Sequence, residues 1–154
     1  MKITNTVDIK ATPAQVFPWL EDPERGKRWM ASVAGGDFIQ KTPEKVGSTF
    51  KEYVEEGGRR IEMHGVITEY TANECFAVHL ESDRHIADIR FTLAGNRGIT
   101  RLTQQIELRL KGFSRIASIF LRPAIKKSIQ SQSRKEFATL QRLCETASGI
   151  GSGP

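Results

Sequence analysis

Thr49-Phe50-Lys51-Glu52-Tyr53-Val54-Glu55-Glu56-Gly57-Gly58-Arg59-Arg60-Ile61-Glu62-Met63-His64-Gly65-Val66-Ile67 is the stretch that decides the fold. Gly57-Gly58 stands between two alternating runs, and a two-residue hairpin turn needs the positive φ that glycine adopts without steric cost. Pairing Glu56 with Arg59 sets the register. Phe50, Glu52 and Val54 then share a face with Gly65, Met63 and Ile61.

Working outward, a turn near Thr71–Glu74 brings Ile67 to Val78 and Gly65 to Leu80. A third turn at Asp83-Arg84-His85-Ile86 puts Val78 beside Phe91 and Leu80 beside Ile89. A fourth at Gly95-Asn96-Arg97-Gly98 sets Phe91 beside Gln104, Ile89 beside Ile106 and Leu93 beside Leu102. A slip of one residue would turn a strand's apolar set to the other face, so the agreement of all four turns argues for an antiparallel meander of about six strands over 37–110. The opposite face, with Tyr53, Glu62, His64, Thr68, His79, Glu81, Arg90 and Thr92, reads as solvent-facing.

Upstream, Ile3, Val7 and Ile9 alternate along a further half-buried strand over 2–10, which makes about seven in all. Thr12-Pro13-Ala14-Gln15 is a capping box with proline at the first helical position. It predicts a short helix through Val16, Phe17 and Leu20, limited by Pro18. Asp22-Pro23-Glu24 predicts a second through Trp29 and Met30, ended by Gly35-Gly36.

Downstream, residues 113–145 have helical periodicity, but the apolar side changes phase. Ile116, Ile119 and Phe120 form one side; after Pro123 the stripe is Ile129, Phe137, Leu140 and Cys144. The offset is about a quarter-turn, which predicts a break or kink at Pro123, with Pro123 opening a longer second helix. The expected organisation is one domain over 1–146 and a flexible tail over 147–154.

The chain has 154 residues and a net charge of +5. One such domain can bury a core without disulfides or metals. Residues 111–142 hold eight basic residues against Glu136 alone, a net +7, which leaves −2 for the rest. That charge distribution excludes a uniformly nucleic-acid-coating surface. No apolar run approaches the ~20 residues of a membrane span, and the first residues lack a secretion-signal core. Cys75 and Cys144 lack metal or redox spacing and are expected as free, buried thiols of a cytoplasmic protein.

A one-sided sheet needs a cover, and the long C-terminal helix is the element able to provide it. The fold class is therefore α+β: a curved antiparallel sheet wrapped around that helix, with two short helices after the first strand. The space between sheet and helix is a natural ligand site.

Several stretches resemble one superfamily. They are Ala11-Thr12-Pro13-Ala14-Gln15-Val16-Phe17-Pro18-Trp19-Leu20, Asp22-Pro23-Glu24-Arg25 with Arg28-Trp29-Met30, Val46-Gly47-Ser48-Thr49-Phe50, Gly65-Val66-Ile67-Thr68-Glu69-Tyr70, and the Pro123-bearing helix. Together they are similar to the START-like, or SRPBCC, helix-grip superfamily, the polyketide cyclase/dehydrase and lipid-transport group, over residues 1 to about 146. The resemblance implies a hydrophobic cavity. It implies no catalytic set, because members bind lipids, hormones or polyketides, or act as cyclases, without a shared one.

The expected site has walls from Phe50, Met63, Ile67, Val78, Leu80, Ile89, Phe91 and Ile106, with polar anchors Glu52 and Gln104. Ile129 and Phe137 are expected on the helix side. Trp29 and Met30 read either as core or as cavity rim. A carboxyl on an apolar inner face has its charged form disfavoured. Glu52 could then lie wetted or salt-paired at the mouth, anchor a ligand, or act as acid/base. His64, His79 and His85 give no convergent metal site, so neither metal nor cofactor is expected. The sequence offers no aromatic platform for nucleic acid. The basic helix could be a solvated face, contact an acidic partner, or meet an anionic membrane surface weakly. The leading functional expectation is a carrier of a small hydrophobic, lipid- or polyketide-like molecule. The alternatives are a cyclase/dehydratase using Glu52 and a ligand-free interaction module.

Overall fold

The computed structural model describes residues 1–112 and 115–147. Its elements run β1 (Lys2–Ile9), α1 (Pro13–Val16), α2 (Pro18–Glu21), α3 (Pro23–Trp29), β2 (Val33–Gln40), β3 (Thr49–Glu56), β4 (Arg59–Thr71), β5 (Cys75–Glu81), β6 (His85–Asn96), β7 (Ile99–Leu110) and α4 (Arg115–Ala147). One antiparallel sheet contains all seven strands in the order β1-β7-β6-β5-β4-β3-β2. The chain thus meanders from β2 to β7 and β1 closes the β7 edge.

The central hairpin has the register its glycines dictate. Glu56 pairs with Arg59, Glu52 with Met63 and Phe50 with Gly65, and Gly57 and Gly58 both have positive φ, 57° and 76°. The β6–β7 turn pairs Asn96 with Ile99 and keeps Phe91 opposite Gln104. Between β4 and β5, Gly65–Leu80 and Ile67–Val78 pair as expected, and a bulge follows between Ile67 and Glu69.

The β5–β6 turn differs. The Ser82 backbone N–H donates to the His85 carbonyl at 3.0 Å, and the Ser82 hydroxyl accepts from the N–H groups of Arg84 and His85. The turn therefore lies one residue earlier than the spacing predicts. Val78 faces Ile89, and Leu80 faces Ala87. The pairing moves by two residues, an even number, so every side chain keeps its face.

The helices bring three more corrections. Pro18 splits the first expected helix, because its missing N–H ends α1 while its fixed φ suits the first position of α2. There are consequently three short helices after β1. Thr12 and Gln15 form the capping box, and Asp22 caps α3 by accepting from the Glu24 N–H. Second, α3 ends at Met30, so Gly35-Gly36 terminate nothing and lie inside β2. A Cβ on Gly36 would sit 2.8 Å from the Lys51 carbonyl oxygen, so only glycine lets β2 approach β3 there. Third, α4 runs unbroken through Pro123. Proline removes one bond to the carbonyl four residues back, that of Ile119, and both residues are exposed, where water can satisfy that group. Residues 113 and 114, expected to open the helix, and 148–154 of the expected tail lie outside the described residues.

The core lies between the sheet's inner face, α1–α3 and the C-terminal half of α4. Ile9, Val16, Leu102 and Leu140 are fully buried in it. α4 packs on β1 and α3, and Gln141 Nε2 donates to the Asp8 carbonyl at 2.9 Å. Both cysteines are free and buried.

Candidate functional site

A cavity of about 110 Å³ opens into the inner face. The sheet supplies Phe50, Ile67, Phe76, Val78, Leu80, Ile89 and Phe91, and the α2–α3 corner and β2 supply Leu20, Gly26, Met30, Val33 and Phe38. Its polar residues include Glu52 and Gln104, with Glu21, Asp22 and Asp37 also in the wall. A wider hollow of about 510 Å³ shares Glu21, Asp22, Pro23, Gly36, Asp37 and Phe38 with it and continues to Lys41, Lys45 and Tyr70. The inner space thus continues outward between the α2–α3 corner and β2.

Eight of the twelve expected site residues line this cavity: Phe50, Glu52, Ile67, Val78, Leu80, Ile89, Phe91 and Gln104. The other four lie elsewhere. Met63 is buried in the core, and Ile106 borders a hollow shared with Lys2, Thr4 and Glu107. Trp29 fills the space between α4 and the sheet. Its ring is 6.2 Å from those of Phe91 and Phe137, and its indole N–H donates to the Trp19 carbonyl at 2.8 Å. This plug explains why, among the described residues, none from α4, Phe137 and Ile129 included, is in the cavity wall. The roof is instead the α2–α3 corner and β2, with Met30 in the wall and Trp29 behind it.

The shape of the wall depends on Gly65. The Phe50 ring folds over this bare position, and a Cβ there would collide with the ring. At the mouth, the Tyr70 hydroxyl donates to Glu21 at 2.5 Å, and burial with that carboxylate pushes Tyr70 up to about 12.

Glu52 carries the distinctive electrostatics. Burial pushes its carboxyl up to about 7, and the Glu136 carboxylate adds to the shift. Glu136, on α4, is itself raised by burial, against the opposing effects of hydrogen bonds from Gln132 and the Ala31 backbone. The Gln132 bond is 2.6 Å. Near neutral pH Glu52 is divided between carboxylic acid and carboxylate, so it can donate or accept a hydrogen bond or proton. Gln104 is buried, and its Oε1 accepts from Asn5 Nδ2 at 3.1 Å. The donors of Nε2 are what it can offer a ligand.

Sequence reasoning did not single out Glu136. The available signal was that it is the sole acid in the +7 segment. Of the α2–α3 corner and β2 residues, only Met30 reads from the sequence as a rim candidate; Leu20, Gly26, Val33 and Phe38 were missed because no register derivation extends across a helical corner. On the outer face His79 Nδ1 lies 2.6 Å from Asp88 Oδ1 and His64 3.7 Å from Glu62. Among the described residues no group of three or more metal-ligating side chains converges.

The family model described as polyketide cyclase / dehydrase and lipid transport matches residues 1–145. Among curated proteins none matches the sequence. Solved structures share the fold at low identity. A Thermus thermophilus protein is 15% identical, with 96% of this chain and 99% of that one covered at a TM-score of 0.79. A START superfamily protein from Mycobacterium smegmatis is 16% identical, with coverages of 95% and 98% and a TM-score of 0.78. The Zhui aromatase/cyclase from Streptomyces sp. R1128 is 10% identical, with coverages of 94% and 93% and a TM-score of 0.77.

Proposed function

The chain belongs to the polyketide cyclase / dehydrase and lipid transport family, within the START-like helix-grip superfamily, and on that premise we propose that it binds a small hydrophobic molecule of lipid or polyketide type in the cavity between sheet, α2–α3 corner and β2. The observation that carries this is an apolar-walled cavity whose polar groups include a carboxyl near neutrality and a buried amide, Glu52 and Gln104. Apolar burial, about 25 cal/mol per Å² before the costs of association, is the driving term. Glu52 and Gln104 orient the ligand's oxygen-bearing end. At about 110 Å³ the inner cavity is smaller than the ~150 Å³ apolar cavity that holds benzene. A ligand of several rings would therefore extend into the outer hollow.

Native mass spectrometry of the protein purified from cells, with titration of a neutral naphthalene fluorophore, tests the reading. We expect a small-molecule adduct and saturable binding, both weakened at least tenfold by Val33→Trp, which blocks the half-buried edge of the wall. An absence of both adduct and probe binding, or a Val33→Trp variant that binds unchanged, would sink it.

The near-neutral carboxyl beside a second carboxylate favours one further reading, a dehydratase or cyclase step. Glu52 as carboxylate takes a proton from carbon and returns it to the departing hydroxyl, so that water leaves and a double bond forms. Glu52→Gln separates the two readings: a carrier changes affinity alone, whereas an enzyme loses turnover while still binding.

A further inference from the structure

Seven large apolar side chains are exposed among the described residues, and four of them, Ile116, Ile119, Phe120 and Leu121, fall in one stretch at the start of α4. Phe120 is 79% exposed and Ile116 69%. The spacing of Ile116, Ile119 and Phe120 makes one helical side. The residues with which α4 meets the core, Ser133, Phe137, Leu140 and Cys144, lie about a quarter-turn round the axis at 100° per residue. The residues that dock, Ser133 to Cys144, all lie in the second half of α4, and Ile116, Ile119 and Phe120 in the first half stay outside. Gln132 hydrogen-bonds Ser32 in the α3–β2 loop. Phe120, twelve residues earlier, is about 18 Å further along the axis, so the patch does not close the cavity.

The charges select the occupant. Arg122, Lys126 and Lys127 are exposed on the next turns, and residues 115–135 contain no acid. Two copies of the chain meeting through this patch would bring like charges together. An acidic surface that also accepts apolar side chains fits both features, as an anionic bilayer does. We propose that the N-terminal half of α4 docks on anionic lipid bilayers. Ile116, Ile119 and Phe120 enter the acyl boundary, and the three basic side chains reach the headgroups along their apolar stems. The half of α4 that holds the core is left undisturbed.

The test is co-sedimentation of the full chain with vesicles of phosphatidylcholine alone or with about one-third phosphatidylglycerol. Binding is expected with phosphatidylglycerol and weakly or not at all without it. A Lys126→Gln/Lys127→Gln variant should bind about 25-fold more weakly, each basic residue contributing about 1 kcal/mol near such a surface. An Ile119→Ser/Phe120→Ser variant should lose at least tenfold. All these positions are exposed, so thermal melts should match the parent and separate lost docking from lost folding. Equal binding to both vesicles, no binding to either, or variants that bind like the parent would overturn the proposal. So would a concentration-dependent dimer, abolished by Phe120→Ser, without vesicle binding. The assay uses no cavity ligand, so its failure leaves the ligand-binding reading untouched.

Discussion

Glu52 keeps its proton to unusually high pH because its carboxylate would be both poorly hydrated and close to Glu136. This has a signed consequence for stability. The folded group titrates at about 7 against 4.5 ordinarily, so its stabilising contribution is present in full below the lower value and disappears as pH rises through the upper one. Glu52 is half-buried, and with that allowance the effect is about 2 kcal/mol. Glu52→Gln is therefore expected to raise the melting temperature by about 6 °C at pH 8, at about 3 °C per kcal/mol for a domain of this length, and to leave it nearly unchanged at pH 4. A rise of equal size at both pH values, or none at pH 8, would refute this account of the carboxyl. The place of Glu52 on the inner face was legible from one glycine turn, because strand alternation carries that information. The nearness of Glu136 was not, since 84 positions separate the two and only the docking of α4 brings them together.

Among the elements, α4 shows how a local rule yields to its surroundings. Proline in a helix interior costs about 3 kcal/mol, and the quarter-turn phase change at the same point argued for a break. Helix geometry persists because the lost bond is at an exposed turn, and the phase change is expressed as an outward-facing apolar side. Pro123→Ala should restore the bond. Amide exchange over 119–127 is expected to slow at least tenfold, with the global melting temperature rising far less, because this half of α4 contributes little to the core. Unchanged exchange would mean that the turn around Pro123 is not limited by the missing bond. The β5–β6 turn teaches a related lesson. A turn was visible at Asp83 to Ile86, but which pair would close the hairpin depended on the Ser82 hydroxyl capping two N–H groups.

For the whole molecule, α4 is held by its second half against β1 and α3, with Leu140 fully buried at that contact. Leu140→Ala should cost about 3 kcal/mol, read as a lower urea midpoint with an unchanged slope. A cost below about 1 kcal/mol would mean that the helix is anchored elsewhere. The same docking leaves +7 of charge over residues 111–142 against a body of net −2. A modest total of +5 therefore describes a molecule with one basic arm. The sequence by itself determined the strand order of the meander, the faces of β1 and of β3 to β7 outside the β4 bulge, the Thr12 and Asp22 caps and the inward placement of Glu52 and Gln104. These follow from alternation, turn chemistry and capping, which act over a few residues. Tertiary structure alone decided that the cavity is roofed by the α2–α3 corner and β2, that Trp29 stands between it and α4, that the Glu136 carboxylate comes near enough to act on Glu52 electrostatically, and that Ile116, Ile119, Phe120 and Leu121 stay outside. Those outcomes depend on how whole elements share limited interior volume, and close packing settles that competition only once all of them are in place.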